Sequence, residues 1–189
     1  MSLLQAFKMD AVKHRYRAFD ELLEYCSNSA NPVGQLVLHL FGQATDTTLP
    51  MSDHICTALQ LTNFWQDVAI DFAKGRIYIP LEDFERFGYT EEDLARGHAD
   101  DRFRALVRFQ VERTRRLFQA GKPLIGMTTG RLRQELAATL SGGMAILDRI
   151  ERSGYDTLSR RPTLSAGDRL FMLWEALSGS SLWTRRHRV

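Results

Sequence analysis

Four polar residues recur at helical spacing near the middle of the chain: Gln60, Asn63, Asp67 and Asp71, within QLTNFWQDVAIDFAKGRIYIP. On a helix they form one stripe, because residues three and four apart project from the same face. The residues between them include Leu61, Phe64, Trp65, Val68 and Phe72, which fill the other faces. A helix apolar on most sides is buried, so its polar stripe needs partners or a ligand. Carboxylates one turn apart also repel by roughly 0.2–0.5 kcal/mol, which a cation would relieve. Carboxylates backed by carboxamides form a hard oxygen-donor set, and that suits Mg²⁺ completed by water and substrate phosphates. The stripe holds neither His nor Cys, so it is not a zinc site. Arg76 and Tyr78, just beyond it, can donate to a diphosphate. The competing reading is a solvated helix face with no ligand. Apolar surroundings favour the metal, although Trp65 reads as well as core.

The elements that must position this stripe are helices. No strand pattern of any length and no internal repeat is present, and five prolines punctuate segments rich in Leu, Ala, Arg and Glu. That pattern predicts an all-α fold. Residues 3–28 form one or two helices, broken at 28–32, and an apolar helix follows over 33–42. The central helix is expected over 51–73, capped near Ser52 or Asp53. Arg76 to Pro80 is an extended segment. Helices follow at 81–87, 90–96, 100–120, 129–152 and 165–178. In the second of these, Asp93 takes the capping-box position behind Thr90. His39, in an apolar run, reads as a core residue rather than a ligand. The arginines at 102, 104, 108, 113, 115 and 116 read mostly as a solvated face.

Composition narrows the function classes. At 189 residues the chain is read as one domain, and 44% hydrophobic with 25% charged residues is ordinary for a soluble protein. A net charge of +2 does not argue for nucleic acid. Cys26 and Cys56 lack metal-ligand spacing and read as buried thiols in a reducing cytoplasm. There is no apolar run of about 18 residues and no signal-peptide pattern. The expected location is therefore cytoplasmic, with at most peripheral membrane contact. The basic end, with Trp183, Arg185, Arg186 and Arg188, is either a solvated tail or such a contact. No glycine fingerprint for a nicotinamide cofactor is present.

The stretch QLTNFWQDVAIDFAKGRIYIPLEDFERFG resembles the second aspartate-rich motif of the squalene/phytoene synthases, Q-L-x-N-x-x-x-D-x-x-x-D followed by a basic-x-Tyr-x-Pro segment. Tyr25-Cys26 and Val33-Gly34 are similar to that family's Tyr-Cys…Val-Gly segment, and SGYDTL around Tyr155 to its late Tyr region. The resemblance implies an isoprenoid synthase-type helical bundle. It implies that Asp67 and Asp71 hold Mg²⁺ on the diphosphate of an isoprenoid substrate, with Gln60, Asn63, Arg76 and Tyr78 binding substrate. Tyr25 and Tyr155 would line the cavity where carbocations form, and Tyr25 would handle a proton. Many members have Arg before the first Asp of the motif, where this chain has Gln66. N-F-W-Q-D-V and A-N-P-V-G look like the bacterial hydroxysqualene synthase branch of hopanoid pathways. That branch is implied to convert presqualene diphosphate to hydroxysqualene with loss of diphosphate. Head-to-head condensation of farnesyl diphosphate is the alternative, and a non-catalytic helical module binding a partner or lipid is another.

The family's first aspartate-rich motif lies many tens of residues before the Tyr-Cys segment. Asp10 and Asp20 supply no D-x-x-x-D pair ahead of Tyr25. The chain is thus expected to match the later two-thirds of such an enzyme. An apolar face is then expected to be uncovered, favouring a homodimer or a domain swap.

Overall fold

The computed structural model describes residues 2–163. The helix expected at 165–178 and the basic tail beyond it lie outside the described residues. Among the described residues ten helices follow one another: α1 (Ser2–Val12), α2 (Phe19–Ser29), α3 (Asn31–Leu40), α4 (Thr48–Gln66), α5 (Val68–Ala73), α6 (Leu81–Arg86), α7 (Glu91–Ala95), α8 (Asp101–Gly121), α9 (Leu124–Met127) and α10 (Gly130–Arg152). Among the described residues there is no strand, as the proline-punctuated pattern predicts.

The fold is built around α4, which packs against α2, α3, α8 and α10. Leu61 and Trp65 of α4 meet Phe103, Leu106, Val107 and Phe118 of α8 in a fully buried core. Trp65 is core: its indole N–H donates to Thr114 Oγ1 at 2.8 Å, which satisfies the one polar atom it buries. Glycines set the helix spacing, Gly121 of α8 against Ile55 and the Met51 carbonyl of α4 among them. A Cβ at Gly34 would stand 2.4 Å from Ser52 Oγ and 2.5 Å from Cys56 Sγ, and one at Gly143 would stand 2.5 Å from the Phe118 ring. Of the Val33-Gly34 pair it is Gly34 that permits the close approach of α3 to α4.

Four expectations about the elements are corrected or sharpened. The central helix starts at Thr48, ahead of Pro50. Proline is tolerated in the first turn, where its missing N–H would have had no partner. The turn is closed by Thr45 and Thr48, each backbone N–H donating to the other's hydroxyl at 2.8 and 3.1 Å. The predicted caps, Ser52 and Asp53, lie inside the helix. That helix also does not run unbroken to residue 73, since Asp67, at φ −107° and ψ 16°, separates α4 from α5. Residues 3–28 resolve into two helices joined by an extended stretch, whose carbonyls at His14, Tyr16 and Arg17 accept from the N–H groups of Ile77, Leu81 and Glu82. This gives RIYIP a partner without a ladder. His39 is exposed and not a core residue: α3 is apolar nearly all round, but turns Leu38 inward and His39 to solvent. The Thr90–Asp93 capping box forms as read.

Candidate active site

The interruption at Asp67 decides how the aspartates stand. Its N–H still donates to Asn63 O at 2.9 Å, and Asp71 N–H donates to Asp67 O at 2.8 Å, so the helical register survives the break. Gln60, Asn63, Asp67 and Asp71 thus keep one face, and it is the open face of α4: Asn63 is exposed and the other three are half-buried. Burial pushes the Asp71 carboxyl above its ordinary range, and the Asp67 carboxylate adds to the push, against Lys74, Arg76 and Arg161. Two carboxylates and two carboxamides on one solvent-facing stripe fit a hard divalent cation with open positions for water and phosphate. No group of three or more His, Cys, Asp or Glu side chains with metal-holding geometry occurs among the described residues.

On one flank of the stripe lies an aromatic group. The rings of Phe64 and Tyr78 stack at 3.8 Å and 8°, and Tyr25 lies 6.1 Å from each. Tyr16 completes it, stacked on Tyr78 at 5.7 Å and edge-on to Tyr25 at 5.8 Å. Burial raises the hydroxyl pKa of Tyr16, Tyr25 and Tyr78, so all three are neutral phenols at pH 7. Asp10, beside Tyr25, adds to its shift, and the Arg76 guanidinium opposes that of Tyr78. Arg76 is held by the Asp10 carbonyl at 3.3 Å and lines a small hollow with Asp71, Phe64 and Tyr78. The structure therefore brings Tyr25, Arg76, Tyr78 and Asp71 to one place.

On the other flank, α4 and α10 form an open groove of about 450 Å³. Leu59 and Asn63 face Ala138, Thr139, Gly142 and Ile146 across it. The small residues of α10 keep the groove open and its lining mostly apolar.

One residue of the expected set stands apart, and one outside that set reaches the site. Tyr155 does not join Tyr25. It lies in the turn after α10, in a left-handed conformation (φ 62°), with its ring under the Arg108 guanidinium of α8 at 5.1 Å. Its partner set is Arg108 and the α8 surface, not the aromatic group. Arg161, which sequence reasoning passed over, reaches the site: its guanidinium holds both carboxylate oxygens of Asp67, with Nη2 to Oδ2 at 3.0 Å. Gln66 anchors the same strap through Pro162 O. No local pattern marks a contact across 94 positions.

The model of the squalene/phytoene synthase family matches residues 1–168. The chain is 36% identical over 167 residues to the phytoene synthase of Arthrospira platensis, covering 82% of this chain and 54% of that protein. It is 35% identical over 178 residues to the 15-cis-phytoene synthase of Synechocystis, covering 88% of this chain and 53% of that one. The chain thus spans about half the length of these relatives. The crystal structure of squalene synthase HpnC from Alicyclobacillus acidocaldarius is similar with a TM-score of 0.80 at 41% identity, over 82% of this chain and 59% of that one. A dehydrosqualene synthase solved with a ligand gives a TM-score of 0.83 at 25% identity, over 94% and 63%. The all-α fold is that of these isoprenoid enzymes, and the chain belongs to the squalene/phytoene synthase family.

Proposed function

We propose that Asp67 and Asp71 form one half of a Mg²⁺–diphosphate site, and that the reaction served is conversion of presqualene diphosphate to hydroxysqualene. The observation that carries this reading is the paired aspartates on the open face of α4, flanked by a buried aromatic group. When bound, Mg²⁺ would neutralise the leaving diphosphate and ease breaking of its C–O bond. Asp67 and Asp71 would hold the ion, with the carboxamides of Gln60 and Asn63 beside it. Arg76 orients the diphosphate end from the Asp71 side. Phe64, Tyr25 and Tyr78 turn ring faces and neutral hydroxyls towards a developing cation, which the ring quadrupoles stabilise. As a neutral phenol, Tyr25 donates a hydrogen bond more readily than it takes up a proton. The groove between α4 and α10 suits an isoprenoid chain by its apolar lining.

The 41% identity to squalene synthase HpnC, beside 36% to a phytoene synthase, supports the squalene side of the family. Condensation of farnesyl diphosphate uses the same ion and is separated by substrate. The test is diphosphate release from presqualene diphosphate and from farnesyl diphosphate with Mg²⁺, by this chain and by a version extended upstream as its relatives are. Release from presqualene diphosphate, lost in Asp67→Asn, is the expected result. An Asp67→Asn variant at wild-type rate would sink the metal role.

Leu3, Leu4, Phe7, Leu36 and Leu40 are exposed on α1 and α3. These exposed apolar side chains suit contact with a second copy of the chain, and a monomer by light scattering would refute that. No helix among the described residues is long and apolar enough to cross a membrane. A peripheral membrane contact would be read by vesicle sedimentation.

A further inference from the structure

Where α10 ends, the chain turns at 153–156 and returns beside the helix as the strap 157–163. Between helix end and strap lies a cleft of about 470 Å³ lined by Arg149, Arg152, Ser153, Ser159, Arg160 and Arg161, with Asp156 at its edge. We propose that this cleft is a second, metal-independent anion site that takes the diphosphate group once it leaves the aspartates.

The charge balance points to an anion. The cleft carries the guanidinium groups of Arg149, Arg152, Arg160 and Arg161 against the single carboxylate of Asp156. That carboxylate is already engaged: it accepts from the Ser159 backbone N–H at 2.9 Å, the Ser159 hydroxyl at 2.8 Å and the Leu158 N–H at 3.2 Å. It also faces Arg104 at 3.5 Å. The C-terminus of α10 opposes an anion with about half a unit of negative charge, which the Arg152 and Arg160 guanidiniums outweigh; Arg161 is already paired with Asp67, and Arg149 is engaged as well. Arg152 and Arg160 are exposed, and neither has a hydrogen bond or ion pair among the described residues. Planar guanidinium forks match phosphate oxygens two at a time.

Position selects a diphosphate among anions, and here the inference rests on the proposed function. Arg161 lines the cleft and also holds Asp67. Among the described residues, Arg161 is thus common to the cleft and the aspartate stripe. It therefore joins the stripe to the cleft that Arg152 and Arg160 also line. The cleft has the size of a small-molecule site, and the chain's net charge of +2 does not support a nucleic-acid surface. Drawing the diphosphate into the cleft separates it from the carbocation, so that the carbon–oxygen bond cannot re-form.

The test is calorimetric titration of the whole chain with inorganic diphosphate in EDTA, without divalent cation. Saturable binding is expected, at least about tenfold weaker in the double variant Arg152→Ala/Arg160→Ala and partly restored by Arg152→Lys/Arg160→Lys. These side chains are exposed and have no partners among the described residues, so the variants should keep the wild-type melting curve. Asp67→Asn should bind diphosphate in EDTA at least as well as wild type. That result separates this cleft from the metal site: if Mg²⁺ dependence fails while binding in EDTA persists, the function falls and the cleft stands. Absence of saturable binding, unchanged affinity in the double alanine variant, or full competition by equimolar sulfate would overturn the proposal. A vesicle arm distinguishes the phosphate source. Arginine-dependent sedimentation with phosphatidylglycerol vesicles but not phosphatidylcholine vesicles, without binding of free diphosphate, would assign the cleft to a lipid headgroup and overturn the diphosphate reading.

Discussion

Two regions of the molecule use aspartate in opposite ways. In the first, Asp83 of α6 is 4% exposed and closed off by α8: Gln110 Nε2 donates to it at 2.9 Å and Arg113 pairs with it. Arg113 is itself sandwiched, its guanidinium 3.8 Å from the Phe19 ring centroid and 4.7 Å from that of Phe109. Burial lowers the Arg113 pKa to about 10, against the pull of the Glu82 carboxylate, so it remains a cation at pH 7. Every charge there has its opposite. In the second region, Asp67 and Asp71 stand one turn apart, and among the described residues the only direct ion pair is the one Arg161 makes with Asp67 from a distant strap. A completed pair holds structure, whereas a pair left short of positive charge is fit to hold a ligand.

Substitutions can break this contrast. The largest effect is expected from Arg113→Ala, which leaves Asp83 buried and uncompensated and should cost about 3–5 kcal/mol in urea unfolding. A loss below 1 kcal/mol would show that Asp83 is not relying on Arg113. Asp67→Asn should barely change stability, yet weaken Mg²⁺-dependent diphosphate binding by at least about tenfold, or about 1.4 kcal/mol by calorimetry. Equal affinity for both forms would remove the distinction between the regions. Arg161→Ala, a partly exposed pair, is expected to lower stability by only about 0.2–1 kcal/mol. A penalty as large as that of Arg113→Ala would make Arg161 a structural clamp.

The smallest effect is a pH dependence at Asp71. Its folded pKa is raised above the unfolded value of 3.8, first by burial and then by Asp67. The protonated form is therefore favoured by folding. The associated stability is complete below pH 3.8 and is lost as pH rises through the raised folded value. Asp71→Asn should then be at least as stable as wild type at pH 7, with the advantage shrinking as pH falls. An advantage that grew on acidification would reverse the sign and refute the crowding of the two carboxylates.

Much of this was legible locally. The i, i+3, i+4 pattern of Gln60, Asn63, Asp67 and Asp71 specifies a shared face whatever the helix packs against, since side-chain direction follows from backbone geometry alone. The Thr90–Asp93 cap and the all-α pattern were readable for the same reason: their hydrogen bonds close within a few residues. His39 was misread because an apolar helix does not say which side meets the core. Pro50 was misread as a boundary because a proline in the first turn looks the same in sequence as one before it.

By itself, then, the sequence determined the helices, the polar stripe and its suitability for a hard cation. Which side of α4 stays open was decided by tertiary packing, through Gly34 and Gly143, which bring α3 and α10 close on either side of it. So were the seating of Tyr25 on Phe64 and Tyr78, the separation of Tyr155 and the arrival of Arg161 at Asp67. These contacts join positions up to 94 residues apart. Their partners are selected by how whole helices pack, which no short stretch encodes.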